Sequence, residues 1–315
     1  MNIAAALVAS AAKYSERTLI RFEGKSYSYG QVDQISDQLA SGLIEAGLQA
    51  GDRIALYLPN VPEFVIAYYA IEKIGVITVT INATLKKEEV RYLLDDSGSK
   101  LVFTEAGLLP NIPMDCPALL YRVAIDGLGQ GSLADWLGVG RVRLAKRPVV
   151  LAVCAAEDTA AILYSSGTTG FPKGVELTQY NIDSNVATCA KYAAYSATDK
   201  IALFLPLFHV YGQNFIMNAC VRSGSCLVMF RRFVPEVVLK AIGEEGITMF
   251  FGVPTIFITL LSMDLSPYNL STIRIEMSAA ATMPEEISKR WTERFGRPIY
   301  EGWWRTTAPR RRCRI

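Results

Sequence analysis

The sequence predicts an α/β fold in which parallel strands are covered by helices, on three observations. Short β-branched apolar runs alternate with amphipathic helical stretches along most of the chain. Gly, Pro and Asn punctuate the junctions. The 315 residues are 51% hydrophobic with a net charge of +2, enough apolar surface for a large core and too little charge for a disordered chain. Only 23 glycines and no sustained heptad exclude collagen-like and coiled-coil architectures.

The elements follow in order. Residues 3–12 are apolar with no preceding Lys or Arg, which predicts an amphipathic first helix rather than a signal peptide. Val32, Ile35, Leu39 and Leu43 recur at helical spacing, and Gly47 supplies a stop. A strand is expected over Arg53–Leu58, closed by Pro59 and Asn60. Pro62 opens a helix carrying Phe64, Tyr68 and Ile71, which Gly75 ends. Val76–Ile81 is a β-branched strand, Leu85–Leu94 a helix and Lys100–Phe103 a strand. Residues 105–149, with Pro110, Pro113, Pro117 and several glycines, are expected to be surface connections. The alternation then resumes with a strand over Thr159–Ser165, a loop, a helix near Asn181–Ala193 and a strand over Ile201–Leu205. Later come a helix over Pro235–Ile242, a strand over Ile247–Phe251, a helix over Pro254–Ser262, a strand over Ile273–Met277 and a helix over Pro284–Phe295. Pro284 suits the first helical position, Glu285 and Glu286 suit the positive end of the helix dipole, and Ile287, Trp291 and Phe295 form the buried stripe.

Charge and cysteine usage narrow the function classes. Residues 304–315 carry five arginines and no acid, so the other 303 residues sum to −3 against the total of +2. A nucleic-acid partner would therefore rest on those twelve residues alone. Six cysteines include no C-x-x-C pair, which suits a reducing, cytoplasmic compartment. His209 is the single histidine, so a His-rich metal site is excluded. The long apolar stretches Val65–Asn82 and Ile247–Leu261 are interrupted by charge or by Gly and Pro, and neither makes a spanning helix.

The segment Tyr164–Val175, YSSGTTGFPKGV, is the most informative. Hydroxyls, glycines and a lysine follow a buried strand, and such a loop converges backbone N–H groups and hydroxyls on one anion. Lys173 adds a mobile point charge beside Pro172, which stiffens the loop. It is not a Walker A loop, because Gly174 stands where that motif needs Ser or Thr.

This segment closely resembles the phosphate-binding signature of the AMP-forming, adenylate-forming superfamily of acyl- and aryl-CoA ligases, luciferases and adenylation domains. The segments GDRIALYLPNVPEFVIAYYAIEKIGVITVTIN, PLFHVYG and FFGVPT resemble the same family in the same order, over residues 1–302. The resemblance is strongest to long-chain acyl-CoA and 4-coumarate-type ligases. It implies two stacked parallel-sheet α/β subdomains of an N-terminal domain. It also implies conversion of a fatty or aromatic carboxylic acid to acyl-AMP with ATP and Mg2+, then to a thioester with coenzyme A. Such chemistry needs positioning and charge stabilisation rather than a protein nucleophile.

Carried onto this chain, the resemblance places Ser165, Ser166, Gly167, Thr168, Thr169, Gly170 and Lys173 on the β- and γ-phosphates. It places His209 at the carboxylate end of the acid site, with Lys173 and His209 as the catalytic candidates. Phe208, Tyr211, Gly212 and Gly252 line the acid pocket by the same resemblance, with core packing as the other reading for the aromatic residues. Ser278, Ala279, Ala280 and Ala281 occupy the adenine-contacting position, where alanines stand in place of the family's common glycines. Thr306 aligns with a later motif threonine, while Thr307 stands where the family has a magnesium-binding glutamate. No metal-ligand set is assigned. The expected organisation is an AMP-binding domain over 1–302, shortened relative to the family, an aberrant Arg-rich tail over 303–315 from a frameshift or truncation, and no small C-terminal lid domain. Impaired turnover would follow. Loading of a carrier protein, or a non-catalytic remnant with exposed sheet edges, are the alternative functions.

Overall fold

The computed structural model describes residues 1–127, 131–165 and 172–302. In chain order these form α1 (Ala5–Tyr14), β1 (Thr18–Phe22), β2 (Lys25–Ser28), α2 (Tyr29–Glu45), β3 (Arg53–Tyr57), α3 (Pro62–Lys73), β4 (Ile77–Ile81), α4 (Lys87–Ser97), β5 (Leu101–Thr104), β6 (Tyr121–Ala124) and α5 (Leu133–Leu144). There follow β7 (Thr159–Ser165), β8 (Lys173–Thr178), α6 (Gln179–Tyr192), β9 (Lys200–Leu203), a π-helix (Tyr211–Asn218), α7 (Ala219–Ser223), β10 (Cys226–Met229) and α8 (Pro235–Glu245). The last elements are β11 (Met249–Gly252), α9 (Pro254–Leu261), β12 (Ile275–Ala279), α10 (Glu285–Phe295) and β13 (Ile299–Gly302).

The strands make two sheets, ordered β6-β5-β3-β4-β7-β8 and β13-β12-β11-β9-β10-β1-β2. All pairings are parallel except β7–β8 and β1–β2, so each sheet ends in one antiparallel edge strand. The predicted α/β class with two parallel-sheet units is what forms. Parallel strands are buried on both faces, and β3 shows how: Ile54 and Leu56 enter the core shared with the second sheet, while Ala55 and Tyr57 face a smaller cluster under α4. Helix α3 lies inside the shared core with every residue buried except Glu63. Its apolar residues therefore run all round, as a helix between two layers requires.

Helix ends follow local chemistry. At α2, Ser28 Oγ accepts from Gln31 N while Gln31 Oε1 accepts from Ser28 N, a reciprocal cap. Thr178 and Asn181 cap α6 in the same way. Pro284, expected at the first helical position, instead sits just outside α10 in an extended conformation (φ −62°, ψ 131°).

Two expectations need correction. Residues 105–149 are not merely surface connections: β6 extends the first sheet beside β5, and α5 packs across α2. The glycines that suggested loops are there for close approach. A Cβ on Gly140 would lie 1.7 Å from Gln38 O, and one on Gly42 would lie 2.7 Å from Trp136 O. The Tyr164–Val175 segment is likewise not all loop, because Ser165 pairs with Lys173, Tyr164 with Gly174 and Leu163 with Val175 in a β-hairpin. Gly174 belongs to strand β8, where its missing side chain leaves room for Ile162 and Tyr164. Three elements the spacing did not predict, the π-helix, α7 and β10, fill residues 211–229. No helix among the described residues is long and apolar enough to cross a membrane.

Candidate functional site

Ligands of open α/β sheets bind beyond the carboxyl ends of the strands. Most of the sequence-predicted residues lie at such ends. Ser165 closes β7, Gly252 closes β11, Ser278 and Ala279 close β12, and Pro206–Gly212 follows β9. Gly252, Ser278 and Glu301 are register partners across β11, β12 and β13.

The hairpin is moored at its base. Tyr92 of α4 donates its hydroxyl to Pro172 O at 3.2 Å, and Tyr164 donates to Asp96 Oδ2 at 2.7 Å. Burial and the neighbouring Asp96 carboxylate push the Tyr164 hydroxyl up, so it stays a donor. Lys173 is exposed at the start of β8, opposite half-buried Ser165. Ser166, Gly167, Thr168, Thr169, Gly170 and Thr306 lie outside the described residues.

His209 is half-buried, and its Nδ1 accepts the Tyr211 N–H at 3.2 Å. With Nδ1 occupied as an acceptor, the neutral ring carries its hydrogen on Nε2. Burial holds this imidazole below its ordinary value and favours the neutral form. Phe208 is half-buried, whereas Tyr211 is 2% exposed, edge-on to Phe215, with its hydroxyl donating to Met277 O at 3.4 Å. Gly212 has no room for a side chain, since a Cβ there would lie 2.3 Å from Pro206 O. Gly252 likewise faces the Phe257 ring, 3.0 Å from where its Cβ would be. The close approach of these neighbours accounts for a glycine at each position.

At the end of β12 the Ser278 hydroxyl is buried and has no hydrogen-bond partner among the described residues. A buried unpartnered hydroxyl is uncommon and fits a polar ligand group. Ala279 is fully buried, and exposed Ala280 has φ +71°. A non-glycine residue in that region is strained by about 1 kcal/mol or more. Ala280→Gly is therefore expected to stabilise the chain by about 1 kcal/mol. An unchanged or lower midpoint in urea denaturation would contradict the strain.

Sequence reasoning missed several residues that build the site. Asn60 and Thr80 reach the Leu205–Phe208 backbone, Tyr92 anchors the hairpin, and the Glu301 carboxylate beside Ser278 accepts from Met283 N at 3.4 Å. The only signal in the sequence is the position of Asn60 just beyond a strand, where it reads as a strand terminator. No three His, Cys, Asp or Glu side chains gather closely enough to cage a metal ion among the described residues.

Known proteins share this fold. The chain is 31% identical to a long-chain-fatty-acid–CoA ligase of Bacillus subtilis over 94% of its length, and 29% identical to the putative acyl-CoA synthetase YngI of the same organism over 90%. It spans 58% and 57% of those two relatives. Among solved structures, the N-terminal domain of FACL13 from Mycobacterium tuberculosis superposes with a TM-score of 0.87 at 27% identity, covering 97% of this chain and 76% of that one. The anthranilate CoA ligase AuaEII, solved with anthranoyl-AMP, gives 0.88 at 25% identity, covering 96% of this chain and 58% of that one. The family described as AMP-binding enzyme matches residues 7–308, and the chain belongs to it.

Proposed function

We propose that this chain carries the nucleotide- and acid-binding part of an AMP-forming acid–thiol ligase. In this reaction a substrate carboxylate oxygen attacks the α-phosphorus of ATP. The α–β phosphoanhydride breaks, pyrophosphate leaves, and an acyl-adenylate remains. A thiol sulfur, that of coenzyme A, then forms the thioester and expels AMP as its proton is lost. The carrying observation is the antiparallel β7–β8 pairing, which sets Ser165 opposite exposed Lys173 at the two ends of a hydroxyl- and glycine-rich stretch of sequence.

Ser165, Ser166, Gly167, Thr168, Thr169, Gly170 and Lys173 would hold the β- and γ-phosphates. One ammonium–phosphate contact at about 4 Å and an effective dielectric of about 20 supplies about 4 kcal/mol before desolvation. Ser278 Oγ would find its missing partner on the nucleotide, beside Ala279 and Ala280. His209 would offer Nε2–H to the substrate carboxylate, next to Phe208. Magnesium would enter with the triphosphate, whose oxygens are its usual ligands, and would neutralise the phosphate charge. The acid is fatty or aromatic, as the names of the fatty-acid and anthranilate ligases suggest. Five buried cysteines with free thiols support a reducing compartment, the cytoplasm.

The test is acid-dependent ATP–pyrophosphate exchange with a fatty acid or a cinnamate, together with direct ATP binding. Lys173→Ala is expected to lower exchange and ATP affinity by at least about tenfold, equivalent to about 1.4 kcal/mol. A wild-type chain that neither exchanges nor binds ATP, or a Lys173→Ala chain that matches wild type, would overturn the assignment.

A further inference from the structure

The segment carrying His209 is fastened from both sides. After β9 its backbone turns back on itself, with His209 N donating to Pro206 O at 3.2 Å. The π-helix holds one flank: Gln213 N donates to His209 O at 3.0 Å, and Gln213 Nε2 donates to Leu207 O at 3.4 Å. The other flank is held by a residue of the β3–α3 connection and a residue of β4. Asn60, between β3 and α3, accepts from Leu207 N at 3.0 Å and donates Nδ2 to Leu205 O at 3.0 Å and Phe230 O at 3.3 Å. Thr80 of β4 donates Oγ1 to Phe208 O at 3.0 Å. Both side chains are almost fully buried. A buried amide that satisfies three backbone groups defines a position far better than apolar contact does, because each bond is directional and each loss leaves an orphaned group.

Thr80 stands beside Leu56 in the β3–β4 register, and β4 pairs on its other side with β7, the strand that ends at Ser165. One strand thus supports both β7 and the histidine segment. We propose that Asn60 and Thr80 are positioning residues that set the imidazole of His209, tying the acid end of the site to the sheet that carries β7 and β8. Its catalytic meaning rests on the ligase reading above, whereas the positioning itself does not.

His209 is the single histidine of the chain, so its imidazole resonances in NMR are unambiguous. In wild type the ring should titrate below its ordinary value of 6.5, as burial dictates. Thr80→Val keeps the volume and removes one bond. Asn60→Ala removes three. Each is expected to move the His209 resonances of the folded protein and to raise the titration midpoint toward the ordinary value, as the loosened segment admits water. Thr80→Ser, which keeps the hydroxyl, should restore the wild-type curve. If Asn60→Ala does not fold, the Thr80 pair still decides the matter.

The second arm is binding of an acyl-sulfamoyl adenosine, a stable mimic of an acyl-adenylate, expected to weaken by about tenfold in Thr80→Val. A merely structural role would lower the melting temperature and leave both the His209 curve and the analogue affinity of the folded variants unchanged. That result would overturn the proposal. An analogue that fails to bind the wild type while the His209 curve still shifts would sink the ligase reading and support the positioning.

Discussion

Replacing Arg274 by methionine is expected to cost about 3 kcal/mol of stability, because it leaves a buried carboxylate without its cation. Asp199 is 2% exposed and precedes β9. Its oxygens accept Arg274 Nε at 2.7 Å and Nη2 at 2.6 Å, a two-point pairing, along with Thr248 Oγ1 at 2.7 Å, Ser196 Oγ at 2.8 Å and Ser196 N at 2.7 Å. Thr248 and Arg274 lie just before β11 and β12, so this carboxylate ties the amino ends of three neighbouring strands. The three bonds from Thr248 and Ser196 survive the substitution, which keeps the loss at the low end of the range for a broken buried pair.

Burial alone would raise the Asp199 carboxyl, but Arg274, Thr248 and Ser196 outweigh it and hold it below the ordinary value. The resulting stabilisation is present above the ordinary value of 3.8 and is lost as the pH falls through the lowered one. Urea unfolding at neutral pH measures the effect. Adding Asp199→Asn to Arg274→Met should recover part of the loss by removing the stranded charge. A loss below about 1 kcal/mol for Arg274→Met would mean that the pairing contributes no more than an exposed one.

The second large effect is alkaline. Glu72 is wholly buried at the end of α3, accepting from Thr78 Oγ1 at 2.9 Å and Gln179 Nε2 at 3.4 Å, with no cation on its carboxylate among the described residues. Burial pushes its carboxyl up to about 8, against which the two hydrogen bonds act only in part. The folded chain therefore holds a proton that the unfolded chain releases above 4.5. Stability from this group is complete below the unfolded value and declines as the pH rises toward about 8. The decline is about 1.4 kcal/mol per pH unit. Glu72→Gln removes the titration. Between pH 5.5 and 8, the stability of Glu72→Gln relative to wild type is expected to rise by about 3 kcal/mol. Denaturant titrations of both proteins at the two pH values measure this, and a constant difference would show that Glu72 is ionised throughout in the folded state.

Lys73, the next residue, shows the other solution. Its buried ammonium meets Asp33 and Asp37 of α2 at 2.6 Å each. Adjacent buried ionisable residues are thus handled differently, one by pairing and one by staying neutral.

The alternation of apolar runs by itself determined the fold class, because each run longer than a turn must bury a face and only a few layer arrangements allow that. The helix over residues 29–45 and the strand over 53–57 are legible in this way, since Val32, Leu39 and Leu43 repeat at the helical period while Arg53–Tyr57 is short and apolar. The strand–hydroxyl–glycine–lysine order of Tyr164–Lys173 was enough to mark a candidate phosphate loop, because that pattern comes from the local chemistry of anion binding. The sequence was silent on whatever depends on neighbours distant along the chain. Strands β6, β8 and β10 have four to six residues each and are defined by their pairing partners rather than by a period of their own. Gly140 and Gly174 read as loop punctuation because nothing local distinguishes a glycine that turns the chain from one that admits a close neighbour. Asn60 stood out only as a strand terminator until folding placed it against Leu205 and Leu207, some 145 residues away, where its three hydrogen bonds depend on the stacking of one sheet against the other.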